Sequence, residues 1–290
     1  MKLDVRAPHI EERADLERIV GIIFDANEDA ETHGDSVLVA VLEAQVVGSA
    51  VRLERTLHPH TSSLTLGVLP EHRRRGVGTA LLRAIRATVP ETRVWRTLLR
   101  EDRMAGHAFL ERHGFKVMRQ TWFAELRTQP PATLNGFTWL ESLPREVVAA
   151  LLRDYYLATH NINPPGDFDL ETWAEALLDD ALHGSVRALA RDRELIAATA
   201  LTTNFDGLAG ALDVAFLSVR PDLHSEARAI AAALVNELLA MARDCGMQRV
   251  ILEVDSTDPV AMLALEHAEP FSASWLTLQT GVPVTHTIGK

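Results

Sequence analysis

Val68-Leu69-Pro70-Glu71-His72-Arg73-Arg74-Arg75-Gly76-Val77-Gly78-Thr79-Ala80-Leu81-Leu82 is the stretch on which the reading of this chain turns. Leu64, Leu66 and Val68 alternate as in a strand, and the strand stops at Pro70. A basic, glycine-punctuated turn follows. Val77, Leu81, Ile85 and Val89 then recur every fourth residue, which predicts an amphipathic helix, with Arg83 and Arg86 off its apolar stripe.

A turn of this kind is suited to an anion. The first amides of a helix have no partner within the helix, and the dipole makes that end partly positive. Gly76 and Gly78 carry no Cβ, so backbone can come close to a bulky ligand. Arg73, Arg74 and Arg75 add charge and forked donors that match phosphate. The helix start also lacks a Ser, Thr, Asp or Asn cap, as expected where a ligand oxygen takes that role.

Neither of two common phosphate motifs is present. The turn has no Gly-Lys-Ser/Thr ending and no G-x-G-x-x-G run. The pattern V-x-P-x-x-R-x-x-G-x-G, met at Val68, Pro70, Arg73, Gly76 and Gly78, resembles the acyl-CoA signature of the GNAT acyltransferase superfamily. The resemblance implies that the turn holds the pyrophosphate of CoA and that the preceding strand pairs with the pantetheine arm. The expected cofactor-binding residues are therefore Val68, Arg73, Arg74, Arg75, Gly76, Val77, Gly78 and Thr79, with acetyl-CoA as co-substrate.

Bulk properties narrow the class. A chain of 290 residues suggests two domains, and 47% hydrophobic residues suffice for packed cores. The single Cys245 excludes an internal disulfide and suits a reducing compartment. No secretory leader is evident at Met1–Arg6 and no run is long enough to span a bilayer, so a cytoplasmic protein without a membrane partner is expected. A net charge of −11 argues against nucleic acid as a partner. Residues 1–127 hold 19 basic and 18 acidic side chains, whereas residues 128–290 hold 10 and 22. A polyanionic cofactor is thus expected in the first half, and a cationic acceptor would be drawn to the second.

Thr128-Gln129-Pro130-Pro131-Ala132-Thr133 reads as a linker, because its prolines favour extended backbone. The expected organisation is a domain at 1–127, a linker at 128–134 and a second domain at 135–290. The first half alternates as strand Leu3–Arg6, helix Glu11–Ala26, strands Ser36–Leu42, Val46–Arg55 and Leu64–Leu69, helix Val77–Val89, strand Arg93–Leu99, helix Met104–His113 and strand Lys116–Leu126. The second half replays this order, with Val219-Arg220-Pro221 in the place of Val68-Leu69-Pro70 and Pro270-Phe271 in that of Gly114-Phe115. The fold class expected is α/β: two tandem GNAT-like domains, each a mixed, mostly antiparallel sheet flanked by helices.

The second copy has lost the cradle residues. His224 stands for Arg73, Glu226 for Arg75, Ala227 for Gly76 and Ala229 for Gly78. A carboxylate and two Cβ atoms then occupy the phosphate position, so this domain is expected to be degenerate.

Acyl transfer to an amine needs a base, a donor for the oxyanion and stabilisation of the leaving thiolate. The family resemblance places a tyrosine acid on the helix after the fifth strand, but that position is Leu110, and the asparagine position is Arg103. Glu101 and Asp102, at the end of the fifth strand, are the first candidates for base. His60, with His58, is the next, since histidine titrates in a suitable range. Glu54 is near the same loop, and His107 lies within a helix. No metal site is expected, because His58-Pro59-His60 has no supporting ligand set. The acidic segment Asp25–Glu31 lies where the family borders its acceptor site, which favours a cationic amine.

Two functions remain open on these grounds. One is an N-acetyltransferase that moves acetyl from acetyl-CoA to a small-molecule amine by direct attack in a ternary complex, as a monomer or homodimer. The other is a non-catalytic acyl-CoA-binding or scaffold protein.

Overall fold

The chain folds as two compact units that are not simple halves. Unit 1 comprises Met1–Leu99, Ala105–Met118 and Thr277–Val282; unit 2 comprises Arg100–Met104, Arg119–Leu276 and Pro283–Lys290. The computed structural model describes all residues except 1–2, 13, 16–17, 20–35, 56–57, 130–133, 141–142, 161–164, 167–169, 204–209, 224, 271 and 282–290. The acidic segment at 25–31, most of the helix expected at 11–26, part of the expected linker and His224 therefore lie outside the described residues.

Unit 1 contains β1 (Leu3–Arg6), β2 (Ser36–Leu42), β3 (Gln45–Glu54) and β4 (Thr61–Val68), followed by α1 (Val77–Arg86), β5 (Val94–Arg100) and α2 (Met104–Arg112). Antiparallel pairing joins β1 through β4 in order. β4 and β5 are parallel, but only where Thr61–Ser63 meet Val94–Arg96. Beyond Ser63 the two strands diverge. α1 buries Val77, Leu81, Leu82 and Ile85, so the four-residue stripe in the sequence is its core face. Gly48 of β3 makes room for it: a Cβ there would lie 3.1 Å from Leu81 and 2.8 Å from the Gly67 carbonyl.

Unit 2 repeats this plan. β7 (Phe137–Leu140) is followed by helices α3 (Arg145–Thr159) and α4 (Leu170–Asp180), then strands β8 (Arg187–Arg191), β9 (Glu194–Thr203) and β10 (Ala211–Val219). After them come α5 (Ala227–Asp244), β11 (Arg249–Asp255) and α6 (Pro259–Leu265). β10 and β11 are parallel only over Ala211–Asp213 and Arg249–Ile251. The equivalence extends to details. β2–β3 and β8–β9 each shift register once, at Ala40/Val41 and at Leu189/Ala190. Each hairpin then turns on two non-glycine residues with positive φ, Glu43-Ala44 and Asp192-Arg193. This is the backbone that a two-residue hairpin of matching twist requires.

The closing strands are traded. β6 (Phe115–Glu125) leaves unit 1 and pairs antiparallel with β11 through Thr121–Glu125. A two-residue strand, β12 (Glu269–Pro270), also pairs with β6. β13 (Trp275–Thr280), from the far end of the sequence, pairs with β5. There the Trp95 N–H donates to Thr280 Oγ1 at 2.9 Å and Arg96 Nη2 to Gln279 Oε1 at 2.8 Å. The sheet of unit 1 thus runs β1-β2-β3-β4-β5-β13, and that of unit 2 runs β7-β8-β9-β10-β11-β6. Strand periodicity marks each strand but carries no record of its partner. β7 was not expected at all, since four residues with two aromatics give too short a pattern.

The core of unit 2 is tied down by a buried polar pair. Asp258 caps α6 by accepting from the Val260 and Ala261 amides at 2.9 Å, and the buried Tyr155 hydroxyl donates to the same carboxylate. Asp258→Ala should cost about 2–4 kcal/mol, because it removes a cap and strands a buried hydroxyl. Tyr155→Phe should cost about 1 kcal/mol, since the amides stay satisfied. Urea unfolding followed by circular dichroism checks the order of the two; equal losses would refute it.

Candidate active site

The basic turn leaves β4 at its diverging end. The Leu69 N–H is held by the Val47 carbonyl at 2.9 Å, and Pro70–His72 form a single 3₁₀ turn. Two residues then enter the left-handed region, Arg74 at φ 62° and Gly76 at φ 82°. Gly76 is the N-cap of α1, and no side chain caps the helix. The first intrahelical bond runs from the Ala80 N–H to the Gly76 carbonyl at 3.0 Å. The amides of Val77, Gly78 and Thr79 precede that bond and have no intrahelical acceptor.

Each expected cofactor residue can now be placed. Arg73, Arg74, Arg75 and Gly76 are exposed. Arg73 Nε donates to the Val68 carbonyl at 2.9 Å, so this side chain braces the turn against the strand. Val77 is 2% exposed, so its side chain belongs to the core and only its amide bears on a ligand. Gly78 packs beneath Phe109 of α2: a Cβ there would lie 3.4 Å from two ring atoms and 3.7 Å from Val68 Cγ2. The residues fit the diphosphate of a nucleotide cofactor, because free amides, a left-handed glycine and three exposed arginines lie within a few residues of one helix end.

The second copy of the turn is built differently. Its helix, α5, is capped by Glu226 in a right-handed conformation, φ −104°. The Glu226 carboxylate is bound by Arg191 Nη1 at 2.9 and 3.0 Å. Arg220 is engaged by Asp222 at 2.7 Å and Glu194 at 2.8 Å, and Ala227 is 7% exposed. The start of α5 thus carries a paired carboxylate where the first copy has the exposed Arg75, and a buried alanine where it has the left-handed Gly76.

The candidate bases are dispersed. Glu101 accepts from Ser274 Oγ and from Gln120 Nε2 at 3.2 Å, and its own N–H donates to the Ser274 carbonyl at 2.8 Å. Asp102 pairs with Arg100 at 2.8 Å and lies 3.9 Å from Arg103. Both acids fall in unit 2, whereas the turn falls in unit 1. His60 is exposed beside β4, and its carbonyl accepts from the Val94 N–H at 3.3 Å. Glu54 is bound by Arg52, by Arg93 at 3.2 Å and by Ser62. His107 lies 3.6 Å from Glu111, one turn along α2. Leu110 is 6% exposed and belongs to the core, so the position where the family resemblance implied an acid faces inward.

One group near the turn was not singled out from sequence. His113, at the end of α2, reaches Thr79 Oγ1 with Nε2 at 3.3 Å. The two residues are 34 apart in sequence, and no local pattern links them. Only the pairing of α1 with α2, signalled by Phe109 against Gly78, brings them together.

Comparison with known proteins agrees with this geometry. Residues 33–117 match the family of the acetyltransferase (GNAT) domain. No curated relative matches the chain in sequence. A GCN5-related N-acetyltransferase from Sphaerobacter thermophilus is similar in fold, with a TM-score of 0.66 at 16% identity, over 98% of this chain and 98% of that one. A tandem GNAT protein from the clavulanic acid biosynthesis pathway has a TM-score of 0.55 at 15% identity, over 96% and 98% of the two chains. A GCN5-related N-acetyltransferase from Kribbella flavida gives 0.54 at 16% identity, over 96% of this chain and 70% of that one. Residues 33–117 thus match an acetyltransferase (GNAT) domain, and the chain as a whole is similar in fold to a tandem GNAT protein.

Among the described residues, no helix is long and apolar enough to cross a membrane, and no three His, Cys, Asp or Glu side chains are grouped to hold a metal.

Proposed function

We propose that the protein transfers an acetyl group from acetyl-CoA to the amine of a small molecule, in a ternary complex, using the turn of unit 1. The observation that carries this reading is the helix end at Gly76, with three amides and three arginines on one exposed turn and no side-chain cap. The amides of Val77, Gly78 and Thr79 would hold the pyrophosphate, with Arg73, Arg74 and Arg75 neutralising its charge. The edge of β4 past Ser63, which β5 does not cover, would receive the pantetheine arm. The bound co-substrate supplies the activated thioester; everything else must come from the chain.

The amine has to be neutral when it attacks, so a base is required. Glu101, Asp102 and His60 are the proposed candidates. Leu110 cannot donate to the thiolate, so on this reading solvent or a cation meets that need. We assign the second copy no cofactor. The charge of residues 128–290, with 10 basic and 22 acidic side chains, favours a cationic acceptor. We place the protein in the cytoplasm, as a monomer or homodimer, with domains meeting near 128–134.

A second reading, a CoA-binding protein without turnover, is favoured by one observation: the buried Leu110. One experiment separates the two. Calorimetric titration with CoA should saturate at one site per chain. Incubation with acetyl-CoA and a panel of polyamines, aminoglycosides and amino-terminal peptides should then release free thiol steadily. Saturation without thiol release would support the second reading, and absence of binding would remove both.

A further inference from the structure

We infer that His113 is a positioning residue of this turn, which acts through Thr79 to aim a hydroxyl at the bound phosphate. The inference rests on the acyl-CoA reading of the turn. Thr79 is the third residue of α1, and its own amide is one of those that precede the first helical bond. Its Oγ1 lies 3.3 Å from His113 Nε2. A hydroxyl has one proton and two lone pairs. If Nε2–H donates to a lone pair, the Thr79 proton is left to point at an anion. If Nε2 were instead the acceptor, Thr79 could offer a phosphate only lone pairs, which repel it. We take the first arrangement, in which Thr79 joins the amide donors of the helix end.

The surroundings of the imidazole hold it in place and keep it neutral. Arg86 Nη2 donates to the His113 carbonyl at 3.1 Å, and the Phe109 ring lies 4.6 Å from the imidazole at a tilt of 57°. Arg86 in turn stands over the Phe115 ring at 5.2 Å. The charged groups that act on His113 are Arg86 of α1 and Arg112, the last residue of α2. Burial first, and then these two cations, lower its pKa below the ordinary 6.5. A phosphate arriving next to Thr79 offsets those cations and favours proton uptake. His113 then keeps its donation to Thr79 and adds charge.

Two amides of different length test the arrangement. Glutamine places a nitrogen close to the position of Nε2, whereas asparagine is too short to reach Thr79. CoA affinity is measured by calorimetry on the full chain between pH 6 and pH 8. His113→Gln should stay within about twofold of the parent at pH 8, and His113→Asn should bind about tenfold more weakly, the value of one charge-assisted hydrogen bond. Thr79→Val should lose about tenfold as well, and adding His113→Asn to it should cost less than about twofold more. The parent should gain affinity towards pH 6 more steeply than His113→Gln, since both share the titration of CoA's own phosphates. Additive losses, equal behaviour of the two amides or superimposable pH profiles would overturn the role of His113 while leaving the acyl-CoA reading intact. A parent protein that does not bind CoA would overturn both.

Discussion

Gly78→Glu should weaken CoA binding at least about a hundredfold, whereas Ala229→Glu should leave it within about twofold. Gly78 is the second residue of α1, where the helix end is positive and unpaired. A carboxylate placed there meets a phosphate at short range, and like charges set against each other cost several kcal/mol. Each 1.4 kcal/mol is a factor of about ten, so a hundredfold loss is a modest demand. The effect of charge can be told from that of volume. The Cβ of Gly78→Ala would sit 3.4 Å from Phe109, ordinary contact at its tighter edge, so this variant should fold and lose far less. Ala229 holds the equivalent place in unit 2, on a helix whose N-cap Glu226 is already a carboxylate paired with Arg191, so a further carboxylate there is expected to repel no bound phosphate. Titration calorimetry reads all three variants. Comparable losses at the two positions would mean that both copies bind, or that neither does so through its helix end.

Leu278→Asp should destabilise unit 1 by about 4 kcal/mol or more and reduce CoA affinity, although Leu278 is about 200 residues from the turn in sequence. Leu278 is fully buried on β13, the strand that completes the sheet of unit 1 beside β5. An unpaired carboxylate there would loosen the strand and release the Trp95 amide from Thr280. Hydrogen exchange followed by mass spectrometry tests this directly. Protection should fall in peptides covering 94–99 and stay higher in those covering 211–219. A loss confined to 211–219 would contradict the assignment of β13 to unit 1.

Most of the fold was legible because its elements carry local signals. The stripe Val77, Leu81, Ile85 announced α1, and the helix expected at 104–113 is α2, which Gly114 follows at φ 84°. The basic turn was legible for the same reason, since a strand, a proline, arginines and glycines lie within a dozen residues. What was not legible depends on partners distant in sequence. β6 reads as a strand in the sequence, but only the fold shows that it completes unit 2 and that β13 completes unit 1. His113 likewise gives no sign until α2 packs against α1. The base stayed unresolved for a physical reason too. Glu101 and Asp102 each have close polar partners, so the residue type that suggested chemistry is equally suited to holding a strand end in place.

The trade of closing strands bears on synthesis. Unit 1 has every strand but one when the ribosome has made Met118, and the missing residues, 277–282, are translated roughly 160 residues later. At about 5–20 residues per second, the edge of β5 stays uncovered for roughly 8–30 s. An open strand edge is a template for any extended chain, including another nascent copy. The trade of strands therefore leaves the first half of the protein open to such pairing until residues 277–282 have been made.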